Sequence, residues 1–493
     1  MDDMPLDCLE NILEHIVGAQ DLLRCVQVSR RLGEVAASDR LWWLMCGRYK
    51  LGGTAHLTDA RHELDDTIEC ADTLGRFVHP GVDPPTRADG EAMGAQGSSI
   101  GPASTGQPWL KIFKRATESR KWTVCFDTGR GSARYGRADV SKAKELNMGA
   151  YGLGHTELEA TQDTLFEAAM WRLCINKADL PSWGVIIAEP FRLVAASAVA
   201  AREEWYSHLE LNVLPGLELK KICLTDSANL CLLANGLTSG VVVHIGLDAI
   251  FVVPVRGGTV VGRAVQESSP GGHALTTYFA DLLQQTAPHA LVTTSRWPRE
   301  VVARKVKEHD CEVWPTRLSE RLGHNPFDRD RTLARTDAPT ARAMVGDTYT
   351  ALGWERFLPA EALFDNRSND DGGLQDMVLR AAEQAADEIE QGARGVEADR
   401  RRRELREALL TRVVLSGGTA AMSGLGARLK HELERALAQT SNGANTPVVV
   451  REPVVVAGGE QTIWSGASTL AGMTNFMDAQ DVHTPMEDWL AHQ

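Results

Sequence analysis

The chain has 493 residues, 43% of them apolar, which at roughly 100–200 residues per domain accommodates two to four globular units with a sizeable core. Its 66 acidic residues outweigh 52 basic ones for a formal charge of −14, which excludes a general phosphate-coating surface and leaves only local basic patches. No apolar run is long enough to span a bilayer, and the opening MDDMPLD lacks the basic and apolar regions of a signal peptide, so a soluble intracellular chain is expected.

Residues 1–50 carry apolar positions at helical spacing: Leu6, Leu9, Ile12, Leu13 and Ile16, then Leu22, Leu23, Val26 and Val28, then Leu32, Val35, Leu41 and Trp42. A small all-α unit is predicted. From 51 to 107 the chain turns rich in Gly, Pro, Ser and Thr, with too few apolar residues to offset ordering entropy, and a flexible linker is predicted. From 108 to 493 short β-branched runs alternate with amphipathic segments, the pattern of an α/β domain. The predicted strands are 123–127, 183–190, 239–246, 251–255, 290–294, 412–418 and 447–456. Two stretches, VCFDTGRGSARYG and VVVHIGLDAIFVV, share the form strand, Gly-containing turn, strand, which hints at an internal duplication. Residues 374–411 read as a helical stretch broken near Gly392 and Gly395, and the run Arg400–Arg403 within it, set among acidic neighbours, reads as a solvated helix face. The 9 cysteines are scattered and never form a CxxC pair, so buried thiols in a reducing compartment are expected.

The N-terminal unit resembles an F-box. The resemblance is carried by Pro5-Leu6, Leu9, Ile12-Leu13, Ile16, Asp21-Leu22-Leu23, Val28-Ser29-Arg30-Arg31 and Leu41-Trp42. A helix trio this short cannot bury all its apolar residues alone, so the surplus forms a surface for partner helices. The resemblance implies that Pro5, Leu6, Leu9, Ile12, Leu13, Leu22, Leu23, Val28, Leu41 and Trp42 dock the small adaptor of a cullin-type ubiquitin ligase.

Beyond the linker, five motifs in order resemble actin and the actin-related proteins. They are Val124–Gly131 as a first phosphate loop, Ile186–Pro190, Asn235–Gly240 running into the strand that ends at Gly246, Leu415–Gly424 as an adenosine loop, and Ile463–Ala467; Lys307-Glu308 also matches a Lys-Glu pair beside the nucleoside. The implied fold is a duplicated α/β architecture of ATPase type, with two phosphate-loop hairpins flanking a cleft. The implied ligand is ATP or ADP with Mg²⁺. The positions that match the family's nucleotide contacts are Asp127, Thr128, Gly129, Arg130, Gly131, Arg134, Gly246, Lys307, Glu308, Gly417, Gly418 and Thr419, with Asp127 holding the metal through water.

The chain departs from the family at points that matter for chemistry. Arg134 and Glu460 stand where the family carries Lys, and Arg130 replaces a small hydroxyl residue. In the second hairpin the metal-facing Asp falls at His244, a loop carboxylate at Leu247, the His near the attacking water at Phe251, and the water-positioning Gln at Ser227; Asp248 would compensate only if the turn shifted register. Imidazole suits softer metals than Mg²⁺, and Leu and Phe neither orient nor deprotonate water, so ATP hydrolysis is not expected. The stretch from Asp127 to Glu189 is shorter than in actin, which implies a reduced outer subdomain and disfavours filaments. Joined, the two parts resemble the F-box-bearing actin-related proteins of plants and green algae. A non-catalytic substrate receptor of a cullin-type ligase is expected, in nucleus, nucleolus or cytoplasm, with no membrane and no direct nucleic-acid partner. The alternative is a nuclear scaffold subunit of a chromatin or nucleolar complex.

Overall fold

The computed structural model describes most residues between Arg120 and Gly472; residues 1–119, 148–165, 210–220, 289–297, 366–371, 440–445 and 473–493 lie outside the described set, as do shorter stretches including 130–131. The F-box unit, the linker and the expected strand 290–294 therefore lie outside it.

Unbroken apolar runs become strands buried on both faces, as central strands flanked by helices must be. In the first sheet β1 (Thr123–Asp127) pairs antiparallel with β2 (Ser132–Arg137) and parallel with β4 (Gly184–Glu189), while β3 (Lys144–Asn147) and β5 (Lys221–Asp226) close the two sides. The second sheet repeats the plan. There β6 (Gly240–Ile245) pairs antiparallel with β7 (Ile250–Arg256) and parallel with β12 (Val413–Ser416); β13 (Val450–Arg451) lies beyond β12, and β8 (Thr259–Val260) and β9 (Gln266–Ser268) both pair with β7. One hairpin followed by parallel strands, used twice, is the duplication hinted at by the sequence.

Two ribbons stand apart, β10 (Ala341–Val345) with β11 (Thr348–Leu352) and β14 (Val455–Val456) with β15 (Gly459–Glu460). The expected single strand 447–456 is in fact two short pieces, β13 and β14. Pro453 between them cannot donate a ladder hydrogen bond and breaks the run.

Helices cover both sheets. α1 (Ser227–Ala234) is buried along its length and starts at Asp226, whose carboxylate accepts the Asn229 N–H at 2.7 Å as an N-cap. α2 (Gly272–Thr286), α3 (Arg299–Asp310), α4 (Leu374–Ile389), α5 (Val396–Leu410) and α6 (Leu425–Ala438) pack around the second sheet, and α7 (Thr462–Ala471) crosses α1. That crossing needs a glycine: a Cβ on Gly466 would stand 1.8 Å from the Leu230 carbonyl oxygen. The break in the 374–411 stretch falls between α4 and α5; exposed Arg400 and Arg401 pair with Glu397, Glu404 and Glu390, and half-buried Arg402 pairs with Asp387 and Asp399, a largely solvated face.

Among the described residues three apolar cores result. One lies on the first sheet around Phe126, Tyr135 and Trp205; one joins the sheets through Leu230, Val242, Val253 and Trp464; the largest fills the second half around Phe279, Leu282, Val378 and Leu429. Within the largest, fully buried Arg428 binds Glu361 at 3.1 Å and Glu432 at 3.0 Å and donates to the Trp314 carbonyl at 2.8 Å, a buried cation whose charge is matched on two sides. The described cysteines are free, and among the described residues no helix is long and apolar enough to cross a membrane.

Candidate functional site

The two hairpins face a common region, and their registers can be compared directly. Asp127 ends β1 opposite Arg134; His244 stands near the end of β6 opposite Phe251, the same interval along the chain. His244 thus occupies the position of Asp127 in the repeat. The β6–β7 turn closes with the Gly246 N–H on the Ala249 carbonyl at 3.0 Å, and Ile245 pairs with Ile250, which leaves Leu247 and Asp248 at the tip of the turn.

On the first hairpin, Asp127 is buried and accepts a hydrogen bond from Arg134 at 3.2 Å. Arg134 also lies 3.8 Å from Glu460 and 3.8 Å from Glu145. Burial pushes the Asp127 carboxyl up to about 6 against the pull of Arg134, and Glu460 adds to the rise. Burial alone would lower the Arg134 guanidinium, but Asp127, Glu460 and Glu145 hold it above its ordinary value. Its Nε has no hydrogen-bond partner among the described residues. Thr128 donates to the Ala188 carbonyl at 3.1 Å and so ties the turn to β4. Arg130 and Gly131 lie outside the described residues.

On the second hairpin, the His244 ring stacks on Phe191 with centroids 4.1 Å apart and an angle of 14° between planes, and its Nδ1 lies 3.3 Å from Ser416 Oγ. Burial drives this imidazole down to about 3, with Arg134 adding to the fall, so it is neutral at ordinary pH. Phe251, the cross-strand partner of His244, also stacks on Phe191, with centroids 6.2 Å apart. The carbonyls of Gly246, Leu247 and Asp248 accept from the N–H groups of Gly272, His273 and Gly271, which fixes the turn to the start of α2. Ser227 is buried and donates to the Glu189 carbonyl at 2.5 Å. Glu189 itself is pushed up to about 7 by burial, against a hydrogen bond from Tyr206.

The adenosine-side residues converge. Lys307 is buried on α3 and donates to the Gly272 carbonyl at 2.8 Å; burial lowers its ammonium to about 8. Thr419 Oγ1 lies 2.5 Å from where a Cβ on Gly272 would stand. Gly417 adopts φ +97°, and a Cβ there would meet the Ile245 carbonyl oxygen at 2.3 Å, so only glycine lets this loop touch the second hairpin. Gly418 is exposed with nothing near its Cβ position. Glu308 is not brought in: it is exposed and paired with Arg304 at 2.8 Å. Sequence reasoning missed Phe191, whose ring covers His244. It missed the Arg134–Glu460 pair too, although both residues stood out as replacements of Lys.

Comparison with known proteins decides the family. A family model described as Actin matches residues 209–480, more than half of the chain, and one described as F-box-like matches residues 1–47.

The chain belongs to the actin family.

This actin-family chain carries an F-box-like domain at its N-terminus. It is 27% identical over 484 residues to Actin-related protein 8 of Arabidopsis thaliana, a match covering 96% of this chain and 87% of that protein. It is 28% identical over 285 residues to Actin-related protein 8 of Oryza sativa subsp. indica, covering 57% of this chain and 51% of that one, so the chain spans about half the length of that relative. Centractin of Saccharomyces cerevisiae matches at 26% over 277 residues, 55% of this chain and 62% of that protein. The Actin match begins past the first hairpin, yet that hairpin and its sheet repeat the topology of the second.

Proposed function

We propose that this F-box actin-related protein is a non-catalytic substrate receptor of a cullin-type ubiquitin ligase: the F-box docks the adaptor, and the actin-like body holds the protein to be modified. The observation that carries this reading is the F-box-like match at residues 1–47, joined to an actin-family body with His244, Leu247 and Phe251 in its second hairpin. A purely scaffolding role in a chromatin complex would leave the F-box surface unused and is the less favoured reading.

The cleft supports binding better than turnover. Lys307, Gly417, Gly418 and Thr419 cluster where an adenosine would be held, and Arg134 retains one unpartnered donor beside the first turn. ATP or ADP is the ligand this arrangement suits. Hydrolysis needs a group that orients and deprotonates water, and the second hairpin offers a neutral stacked His244, Leu247 and Phe251 instead. Residence in nucleus and cytoplasm is proposed from the resemblance alone.

The double substitution Leu9→Asp plus Leu13→Asp tests the docking. It places two charges on the apolar surface proposed to meet the adaptor, and adaptor capture is expected to be lost. Unchanged capture by a folded double mutant would sink the ligase reading.

A further inference from the structure

Arg134, Asp127 and Glu460 form a charge cluster closed within the chain. Arg134 Nη1 stands 3.2 Å from Asp127 Oδ2 and 3.8 Å from Glu460 Oε2. The three residues are 9%, 3% and 5% exposed. Two carboxylates at this depth cannot both carry charge without a cation between them, because desolvation of unpaired ions is costly. Here that cation is a side chain from the antiparallel partner strand, placed by the Asp127–Arg134 register itself.

Among the described residues, the second hairpin does not supply the side-chain oxygens a divalent metal would need. Mg²⁺ demands near-octahedral oxygen coordination and gives up its waters reluctantly. The position equivalent to Asp127 on the second hairpin is His244, a nitrogen ligand whose Nδ1 lies beside Ser416 and whose ring is covered by Phe191. Of the other replaced positions, Leu247 and Phe251 have no side-chain oxygen to offer, and the Ser227 hydroxyl is spent on the Glu189 carbonyl. The Asp127 carboxylate is already engaged by Arg134 at 3.2 Å. These residues do not fit Mg²⁺, and among the described residues no group of three or more His, Cys, Asp or Glu could hold a metal.

We propose that Arg134 is a built-in counter-ion that takes the place of a divalent metal at Asp127 and Glu460, so that the cleft neither takes up nor needs Mg²⁺. Arg134 keeps a cation that reaches Asp127, and the replacement at Glu460 adds a carboxylate that shares it. The guanidinium is permanently charged, so this compensation does not vary with cellular metal or with metal-bound nucleotide. The inference rests on the cleft alone and stands or falls apart from adaptor capture.

The test is thermal unfolding of the full-length protein in excess Mg²⁺ and in EDTA, each with and without ATP, for the wild type, Arg134→Lys and Arg134→Ala. The wild type and Arg134→Lys, which keep a cation, are expected to shift by less than about 1 °C between Mg²⁺ and EDTA. Arg134→Ala leaves the two carboxylates without their counter-charge; it is expected to be less stable in EDTA and to regain at least about 2 °C in Mg²⁺. A rise in wild-type stability specific to Mg²⁺, with or without ATP, overturns the proposal, as does a folded Arg134→Ala protein indifferent to Mg²⁺. Should Arg134→Ala fail to fold, the wild type and Arg134→Lys still decide.

Discussion

His244 makes a pH-dependent contribution that can be isolated by substitution. Its imidazole ordinarily titrates near 6.5, and burial holds it near 3 in the folded protein. Between those values the unfolded chain binds a proton that the folded chain does not, so stability is full above about 6.5 and is lost as pH falls toward 3. At pH 5 protonation of the unfolded imidazole alone amounts to about 2 kcal/mol, since one pKa unit is about 1.4 kcal/mol and the folded group is still neutral. The residue retains some solvent contact, so about 1–2 kcal/mol is the working figure. Asp127 and Glu189 act with the opposite sign: their carboxyls are raised to about 6 and about 7, so their contribution is full below the ordinary carboxylate range and is lost as pH rises through those values. A comparison of wild type with His244→Gln removes them, because both proteins keep both carboxyls. In urea unfolding followed by tryptophan fluorescence, the stability advantage of the wild type over His244→Gln at pH 7.5 is expected to shrink by about 1–2 kcal/mol at pH 5. A difference that is the same at both pH values would mean that His244 titrates as an exposed imidazole, and the stacked, neutral ring beside Phe191 would be refuted.

Three further outcomes are expected. Arg428→Met leaves Glu361 and Glu432 buried without their shared cation and should cost about 3–5 kcal/mol of unfolding free energy in denaturant titration; a cost below about 1 kcal/mol would mean the network is solvated. Gly466→Ala forces α7 away from the Leu230 carbonyl and should lose at least about 1–3 kcal/mol, measured in the same titration, whereas a neutral effect would contradict the close crossing. Phosphate release from ATP should be indistinguishable from a protein-free control and unaltered by Asp127→Ala; turnover that Asp127→Ala abolishes would restore an enzymatic reading.

The strands that could be read from sequence were the ones buried on both faces. TVCFD, GVIIAE and GVVVHI are continuous apolar runs, and β1, β4 and β6 follow them to within a residue. β5, KICLTD, and β3, KELN, carry charge within short segments, and their identity depends on the neighbours they pair with, which periodicity does not reveal. The ribbon β10–β11 was hard to read because its exposed Met344 and Tyr349 are as apolar as its buried Ala343, Val345 and Leu352, so hydrophobicity does not separate the two faces. At the site, the family resemblance put His244 and Phe251 in the second hairpin, and the fold pairs them across it. What the resemblance could not supply was contact across the chain: Phe191 on His244, or Arg134 beside Glu460, residues brought together only by the fold. A cue existed in the last pair: Arg134 keeps the positive charge of the Lys it replaces while Glu460 reverses one, and a reversed charge is compensated where a retained cation lies beside it.

The central claim is that the N-terminal F-box connects the actin-like body to a ubiquitin ligase. Affinity purification of the full-length protein beside a version lacking residues 1–50, with identification of the bound proteins, tests it most directly. Adaptor and cullin should accompany the full chain and be absent from the shortened one, while proteins held by the body remain with both. The same partners from both proteins, without a cullin in either, would contradict the claim.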